Sequence, residues 1–344
     1  MEWLSPTPAP AAIVRTVTAT SKDPLRAVLS GLPAAVVIRE VGPRDGLQSE
    51  RPVAPADRAA LVDRLVGAGC RRIEAVSFVS ERAVPAMAGA SEVLAALTTR
   101  DRVRLTALVP NQRGAVAALE AGVDELTVTV AASETYNLRN VRRSISESVG
   151  DIAEICRLAH EAGASVDGVL SCAFGSPYEG DVRPGAIAEI CERLAEAGCD
   201  VLTLADTTGM ATPRVLASVL AATGVGVGLH LHETRGTGLL NAFAGLQAGV
   251  TRFDTAVGGL GGSPFADGAG GNLATEDLVA VLDDAGIASG LDLARLIAVA
   301  ESVAVLVGHD VPSKVSAAGP RTRLAAAEGT PVMTETQAKR DASC

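Results

Sequence analysis

Two histidines in the second half of the chain have the spacing of a metal site. His230 and His232 are two of only four histidines in 344 residues, and they lie at the end of an apolar run, Val225 to Leu231. In a β-strand, residues i and i+2 point to the same face, so both imidazole rings converge on one point. Neutral imidazole is a common metal ligand. The pattern predicts a divalent metal, although two ordinary strand histidines would have the same spacing.

The elements that must position these histidines are short β-branched runs that alternate with Ala/Leu/Glu-rich segments of helical period. Eight such strands predict the α/β class and a (β/α)₈ TIM barrel with extra C-terminal helices. A doubly wound open sheet is the alternative, and only the strand count argues against it. The predicted strands are Val36 to Val41, Arg72 to Phe78, Val103 to Val109, Glu125 to Val130, Ser165 to Ser171, Asp200 to Asp206, Val225 to Leu231 and Arg252 to Val257.

A recurring phrase marks the end of several helices. GAGC, EAGV, EAGA, EAGC and QAGV each stand just before a predicted strand. A glycine past the last helical turn adopts the left-handed conformation that closes the helix and returns the chain to the sheet. The recurrence indicates a repeated βα unit, and its irregular spacing argues against a short solenoid repeat.

We expect three regions along the chain. Residues 1–33, with prolines at positions 6, 8 and 10, are predicted to form a flexible or loosely docked arm. Residues 34–315 are predicted to form the TIM-barrel catalytic domain, and residues 316–344 a tail without stable structure. Between Thr275 and Gly308 we expect helices that cover the barrel, with Thr275 as an N-cap.

Composition and charge exclude several classes of protein. The net charge of -10 and the absence of a basic block argue against a nucleic-acid or membrane partner. No apolar run is long enough to span a bilayer. The six cysteines form no CxxC pair, which favours a reducing compartment, and we expect a cytoplasmic protein.

In a TIM barrel the working residues lie at the carboxyl ends of the strands and in the loops that follow. Those positions are almost all polar here, in a chain dominated by Ala, Val and Leu, and this concentration of polarity is typical of a site. The residues are Arg44, Asp45, Glu74, Ser77, Asn111, Ser171, Cys172, Asp206, Thr207, His230 and His232.

Two oxygen ligands would complete the metal site. Asp45 follows the first strand and would lie across the barrel mouth from the histidines, and Asn272 follows the glycine-rich loop, Gly258 to Gly271. Two imidazoles, a carboxylate and an amide oxygen leave positions free for an oxygen-rich substrate. Such a set suits Mg²⁺, Mn²⁺ or Co²⁺ better than a closed structural zinc, although Zn²⁺ stays a candidate.

Seven segments resemble one family closely. VGPRDGLQSE, IEAVSFVS, VPNQRGAVAALEAG, SCAFGSPYEG, LADTTGMATP, HLHETRG and VGGLGGSPFADGAGGNLATEDLV follow one another as in the 3-hydroxy-3-methylglutaryl-CoA lyases, which belong to a metal-dependent lyase and synthase superfamily of TIM barrels. The resemblance covers about Val36 to Lys314. It implies a lyase that acts on an acyl-CoA thioester, with a divalent metal, and a homodimer.

The resemblance also implies roles for individual residues. It implies that Asp45, His230, His232 and Asn272 bind the metal and that Arg44 stabilises the thioester oxygen as it becomes an enolate. Further residues are implied to orient these groups, to contact the substrate or to help proton transfer. A buried ion pair with Arg44 is the alternative role of Glu74, and that of Glu276 is to be a first-turn helix acid. These further residues are Glu74, Asp206, Gln48, Ser77 and Glu276.

Two positions depart from the family pattern. The lyases carry a cysteine where this chain has Ser263, and an unactivated hydroxyl is a poorer proton donor than a thiol. Ser263 is predicted either to relay a proton or to be a small loop residue without a chemical role. Arg235 stands where the lyases carry an uncharged residue, so it could face an extra substrate carboxylate or simply be a solvated loop arginine.

The leading hypothesis is a divalent-metal-dependent lyase that cleaves a carbon–carbon bond of a 3-hydroxy-3-carboxyalkyl-CoA thioester. Hydroxymethylglutaryl-CoA or a relative such as citramalyl-CoA would give acetyl-CoA and an oxo acid. One alternative is a condensing enzyme or aldolase that joins acetyl-CoA to a 2-oxo acid. The other is a ligand-binding homologue with little activity.

Overall fold

Eight parallel strands form a closed barrel in the computed structural model, which describes residues 29–262 and 270–323. Each strand pairs with the next along the chain, and β1 pairs with β8 from Val37 opposite Arg252 to Glu40 opposite Thr255. This closure confirms the TIM barrel and excludes the open sheet. The strands are β1 Val37–Glu40, β2 Arg72–Ser77, β3 Arg104–Leu108, β4 Glu125–Ala131, β5 Ser165–Ser171, β6 Val201–Ala205, β7 Gly228–His230 and β8 Arg252–Thr255.

Helices surround the barrel and bury their apolar faces against it. Each of the five recurring phrases has its glycine in the positive-φ conformation just after a helix, as predicted: Gly69, Gly122, Gly163, Gly198 and Gly249. In the described ranges the helices are α1 Pro55–Gly67, α2 Ala90–Ala96, α3 Gln112–Glu120, α4 Glu134–Val141, α5 Ile145–Glu161, α6 Pro184–Glu196, α7 Pro213–Thr223, α8 Gly238–Ala248, α9 Thr275–Ala285, α10 Leu293–Val307 and α11 Lys314–Ala318.

Some predicted boundaries differ from the structure. Thr275 is the first residue of α9 and Ala274 is its N-cap, because the Thr275 hydroxyl donates to Glu40 instead of capping the helix. The short helix α11 runs across the predicted domain boundary at residue 315. In the part of the chain that the structure describes, no helix has the length and apolarity needed to cross a bilayer.

The barrel interior carries charge where bulky branched side chains usually fill such folds. Arg39 on β1 reaches across the interior and contacts Glu125 on β4, Asp167 on β5 and Asp254 on β8. All four side chains are buried. A buried charge is tolerated when it is paired and hydrogen-bonded, as it is here. The hydrophobic core lies instead between the outer face of the strands and the helices.

Glu40 joins the barrel to the helix layer. Its carboxylate accepts hydrogen bonds from the backbone N–H groups of Gly42 and Val257 and from the hydroxyl of Thr275. The side chain is fully buried. Burial raises the pKa of Glu40 to about 7, although these hydrogen bonds favour the ionised form. Folding therefore disfavours ionisation of this carboxyl at pH values where the unfolded chain is already ionised.

The raised pKa of Glu40 predicts a pH dependence of stability. Between the ordinary pKa of 4.5 and the folded value of about 7, the folded protein holds a proton that the unfolded chain has lost, so stability falls as pH rises. We expect the Glu40→Gln variant to lose this pH dependence. The glutamine amide keeps an oxygen that accepts hydrogen bonds, and its nitrogen can donate to Thr275. Between pH 5 and pH 8, the free energy of unfolding in urea should fall by about 2 kcal/mol more for the wild type than for the variant. Parallel pH profiles would contradict the prediction.

Candidate metal centre and active site

A single π-helical turn after β1, Gly42–Gly46, places the first two site residues. The carbonyl of Val41 accepts hydrogen bonds from the N–H groups of Arg44, Asp45 and Gly46. A Cβ on Gly42 would lie 2.6 Å from a Glu40 carboxylate oxygen, so a larger residue at this position would displace that carboxylate. Such π turns are frequent at functional sites. Here the turn directs two consecutive charged side chains into the barrel mouth.

The two histidines present their Nε2 atoms to a common point. These atoms lie 3.2 Å apart. The Nδ1 atom of His232 is 3.0 Å from the carbonyl oxygen of Gly270, and the Nδ1 atom of His230 is 3.3 Å from the carboxylate of Asp254. Because each Nδ1 faces an acceptor, the proton is favoured there and the Nε2 lone pairs are free. The predicted convergence of the two rings is confirmed.

Asn272 completes the cluster from the segment after the glycine-rich loop. Its amide nitrogen donates to Asp45 Oδ2 at 2.7 Å and to the carbonyl of Leu260 at 3.0 Å. Its amide oxygen is buried and has no hydrogen-bond partner in the described residues. An unpaired buried oxygen is costly. The orphaned oxygen therefore fits a ligand position that an ion would satisfy.

Glycine permits the close approach of this segment. Gly261 has a φ of 89°, and a Cβ there would lie 2.6 Å from the carbonyl oxygen of Asp45. At Gly271 a Cβ would meet the Gly259 carbonyl oxygen at 1.8 Å. No side chain larger than hydrogen fits at either position. These two glycines thus allow Asn272 to lie against Asp45.

Asp45, His230 and His232 have the geometry of a metal site. Their candidate ligand atoms all lie within 4.8 Å of one another, and Asp45 Oδ2 is 3.8 Å from His230 Nε2. Neighbouring ligands of an ion bound at about 2.1 Å are separated by roughly 3 to 4 Å, so these spacings suit a small divalent cation.

The protonation states of two ligands also suit a metal. Burial alone would raise the pKa of the Asp45 carboxyl, but the adjacent Arg44 guanidinium and the two histidines lower it to about 2. Burial and the nearby His230 lower the pKa of His232 to about 4. At neutral pH the site therefore offers a carboxylate and a neutral imidazole, which are the forms that bind metals.

Arg44 is fixed between two carboxylates. Its Nη1 donates to Asp45 at 2.6 Å, and its Nε donates to Glu74 at 2.5 Å. The second oxygen of Glu74 is buried without a partner in the described chain, as are the Ser77 hydroxyl and one oxygen of Asp206. The structure thus shows the ion pair between Glu74 and Arg44, and it leaves three buried polar atoms without a partner, of which the Ser77 hydroxyl belongs to a residue that lines the cavity at the mouth.

The remaining predicted residues have different surroundings. Gln48 donates to Asp45 Oδ1 at 2.9 Å and so helps to orient the carboxylate. Glu276 is buried and accepts from the N–H of Gly258, which supports the turn after β8. Arg235 donates to the backbone carbonyls of Thr208 and Gly209 and is exposed. Ser263 lies outside the described residues, next to Gly262.

A large cavity opens above the cluster. Its volume is about 1050 Å³, and its inner wall includes Arg44, Asp45, His230, His232 and Gly262. The cavity extends outward to the segment after α4, where Arg142 and Arg143 line it. Such a volume suits an extended organic ligand better than a small metabolite.

Two charged residues beneath the histidines, Arg39 and Asp254, are not among the predicted site residues. Each is an inward-facing charge in a buried strand, Arg39 on β1 and Asp254 on β8. A charge buried in a strand needs a partner. A charged residue in a buried strand is therefore a signal that could have indicated both residues. It does not identify their partners, because these come from strands far apart in the sequence.

The eight-stranded barrel, with its polar cluster at the carboxyl ends of the strands, defines the TIM-barrel class of enzymes. The model of the HMGL-like family matches residues 35–303, and the chain belongs to this family. The predicted resemblance to the hydroxymethylglutaryl-CoA lyases is thereby confirmed.

Named relatives span most of the chain. The (R)-citramalyl-CoA lyase of Chloroflexus aurantiacus is 42% identical over 302 residues, which cover 83% of this chain and 95% of that protein. The hydroxymethylglutaryl-CoA lyase of Pseudomonas mevalonii is 44% identical over 280 residues, covering 80% and 93%. The structure of an HMG-CoA lyase from Acinetobacter baumannii with coenzyme A and 3-methylmalate superimposes with a TM-score of 0.81 at 39% identity, covering 85% of this chain and 98% of that chain.

The metal centre can be tested by thermal unfolding. Mn²⁺ at 100 times its Kd should stabilise the wild type by about 2.7 kcal/mol, which raises Tm by several degrees. We expect His232→Ala to abolish this shift because a ligand is lost. His160→Ala is the control, since His160 is exposed and its ring is hydrogen-bonded to Asp200, which is not a candidate metal ligand. An equal Mn²⁺ shift in both variants would contradict the assignment.

Proposed function

We propose that this protein is a divalent-metal-dependent lyase that cleaves a carbon–carbon bond of a 3-hydroxy-3-carboxyalkyl-CoA thioester. The observation that carries the proposal is the buried cluster of Asp45, His230, His232 and the orphaned oxygen of Asn272 at the base of a large cavity. The family supports this chemistry, because both the citramalyl-CoA and the hydroxymethylglutaryl-CoA lyases are similar to this chain over most of its length.

The metal site serves the first requirement of this cleavage. When bound, a divalent cation acts as a Lewis acid that lowers the pKa of the substrate's tertiary hydroxyl and binds its carboxylate. Asp45, His230, His232 and Asn272 would hold it. Gln48 and Arg44 both donate to Asp45 Oδ1, which leaves Oδ2 facing the histidines.

Arg44 serves the second requirement. As the bond breaks, the pair of electrons moves into the thioester and produces an enolate oxygen. A guanidinium that is already fixed in a buried site stabilises this charge without reorganising. Glu74 and Asp45 hold the guanidinium from two sides. Glu74 is thus a positioning residue in this proposal, and the Ser77 hydroxyl is free to contact the substrate.

Asp206 is proposed to accept the proton of the tertiary hydroxyl. One of its carboxylate oxygens accepts a hydrogen bond from the N–H of Ala211, and the other is buried and without a partner in the described residues. Burial raises the pKa of Asp206 to about 7. A carboxylate with a pKa close to the operating pH is suited to general base catalysis.

The outer part of the cavity is proposed to hold the CoA portion. Arg142 and Arg143 line its far end and offer positive charge to phosphate groups. The Acinetobacter baumannii structure, which holds coenzyme A and 3-methylmalate, supports a CoA ligand in this family. For the acyl portion we propose hydroxymethylglutaryl-CoA or a citramalyl-CoA-like thioester.

Arg235 and Glu276 are not assigned to the chemistry. The contacts of Arg235 with two backbone carbonyls support a role in joining the loops after β6 and β7, so we do not propose that it binds a substrate carboxylate. Glu276 is proposed to support the turn at Gly258 that leads into the glycine-rich loop.

We further propose Mg²⁺ or Mn²⁺ as the metal, a homodimer as the assembly and the cytoplasm as the compartment. The mixed nitrogen and oxygen ligands favour Mg²⁺ or Mn²⁺ as the metal. Co²⁺ and Zn²⁺ are the alternatives, and the same titrations can be made with them. The cysteines in the described ranges are all buried and free, which supports a reducing compartment.

The lyase activity can be tested with a panel of thioesters. With Mn²⁺ present, the wild type should release acetyl-CoA from hydroxymethylglutaryl-CoA or citramalyl-CoA. Arg44→Gln should lower kcat by about 10²- to 10³-fold at saturating Mn²⁺, because the enolate loses its fixed cation. Arg214→Gln, at an exposed arginine on α7, should leave kcat unchanged. Binding of Mn²⁺ without turnover of any thioester in the panel would refute the lyase.

A condensing enzyme is the second candidate, and Ser263 is the observation that favours it. A synthase attacks with the acetyl-CoA enolate and hydrolyses the thioester, so it does not need a residue to protonate the enolate. It would release free CoA from acetyl-CoA and a 2-oxo acid. A lyase would not.

Replacing Ser263 by cysteine separates the two candidates further. In a lyase, Ser263→Cys should raise kcat, because a thiol with a pKa of about 8.5 donates a proton more readily than a hydroxyl does. Ser80→Cys is the control, since Ser80 is a serine that lines the cavity at the barrel mouth. Steady-state release of acetyl-CoA is the measurement. A Ser263→Cys variant with unchanged or lower kcat would contradict a proton-donating role at this position.

A further inference from the structure

The structure contains a row of three side chains that links the candidate metal centre to the barrel interior. Arg39 on β1 pairs in register with Asp254 on β8, and Asp254 pairs in register with His230 on β7. Neighbouring residues in register on adjacent strands point to the same face of the sheet. The closed barrel therefore places a guanidinium, a carboxylate and an imidazole side by side.

The side chains of this row contact one another in order, from Arg39 through Asp254 to His230. Arg39 donates from Nε to Asp254 Oδ1 at 2.9 Å and from Nη2 to Oδ2 at 2.6 Å, which is a bidentate pair. Asp254 Oδ2 then lies 3.3 Å from His230 Nδ1. The carboxylate plane is fixed by two donors on one side and faces the imidazole on the other.

Arg39 is itself fixed. Its Nη1 lies 2.8 Å from Asp167 and 3.3 Å from the hydroxyl of Thr127, on two other strands. Its side chain is only 7% exposed. Arg39 and Asp254 also line both the large cavity at the mouth and a small cavity on the opposite side of the interior. Arg39 and Asp254 thus lie between the two cavities, and the candidate metal centre lies on the mouth side of this pair.

The two histidines are oriented by different means. His232 faces the backbone carbonyl of Gly270, which any sequence could supply, whereas His230 faces a charged side chain. A carboxylate behind a ligating imidazole fixes its tautomer and raises its basicity. This device requires that the carboxylate be ionised and held in place, which is what Arg39 provides.

We propose that Asp254, held by the guanidinium of Arg39, is the positioning residue that directs His230 Nε2 to the metal. The inference rests on the metal centre of the proposed function and adds two residues to it. Neither touches the reacting atoms in this proposal. Asp254 acts through His230, and Arg39 acts through Asp254.

Asp167 offers a matched control. It is a buried carboxylate on β5 that also pairs with Arg39, and within the described residues its other contacts, such as the hydroxyl of Thr203, do not include a metal ligand. Asp254→Asn and Asp167→Asn remove the same charge from the same guanidinium. Only the first variant weakens the support of His230. Arg39 is unsuitable as the first test because its removal leaves several buried carboxylates without a partner.

The experiment is calorimetric titration of the metal-free full-length protein with Mn²⁺. Asp254→Asn should weaken binding about 10- to 100-fold, which is the usual effect of losing such an outer contact. Asp167→Asn should bind within about threefold of the wild type. Equal affinities of Asp254→Asn and wild type, or an equal loss in both variants, would overturn the proposal. If the wild type itself fails to bind Mn²⁺, the metal centre fails and this inference fails with it.

A second measurement covers the case in which Asp254→Asn does not fold. In the Zn²⁺-loaded wild type, labelled with ¹⁵N at histidine, the nitrogen signals show which ring atom carries the proton, and His230→Gln assigns the relevant pair of signals. We expect His230 to be protonated at Nδ1, facing Asp254. A His230 ring that is protonated at Nε2, or that binds zinc through Nδ1, would overturn the proposal.

Discussion

Pairing between the first and the last strand is the constraint on which the site depends. The register of β1 against β8 brings the π turn with Arg44 and Asp45 beside the segment that carries Asn272. Asp45 Oδ2 and the amide of Asn272 are joined by a hydrogen bond only because the barrel closes. An open sheet with the same strands would leave the carboxylate and the histidines at separate edges. The chemistry therefore requires the topology as well as the residues.

Buried charge is the second theme of the structure, and geometry decides whether it stabilises. Arg44 is paired with Asp45 and Glu74 at the mouth, and Arg39 is paired with carboxylates from other strands below it. The two ion clusters meet at His230, which lies close to both Asp45 and Asp254. Removing one partner would leave an uncompensated charge in a region with little water, which costs much more than an exposed pair contributes. These clusters fix side-chain orientation, which a flexible apolar core would not do.

Much of this arrangement could be predicted from local patterns. Alternating β-branched and helical segments, with glycine after several of the helices, predict the barrel because each signal lies within a few residues. His230 and His232 are predictable for the same reason, since two residues on one strand share a face. Asp45 and Asn272 follow from the rule that barrel sites lie at the carboxyl ends of strands. Arg39 and Asp254 do not follow, because their partners depend on a register between β1, β7 and β8 that no local pattern specifies.

The separation of the ligands along the chain has a consequence for synthesis and folding. Asp45 and Asn272 are 227 residues apart, and the histidines lie between them. A ribosome-bound chain that has not yet exposed the last strand and its following loop lacks Asn272 from the proposed ligand set, so we expect it to bind an ion more weakly than the finished protein does. Metal capture would thus report that the whole ring of strands has closed. The same long separation makes the centre slow to assemble, since its two ends meet only after the largest loss of chain entropy has been overcome.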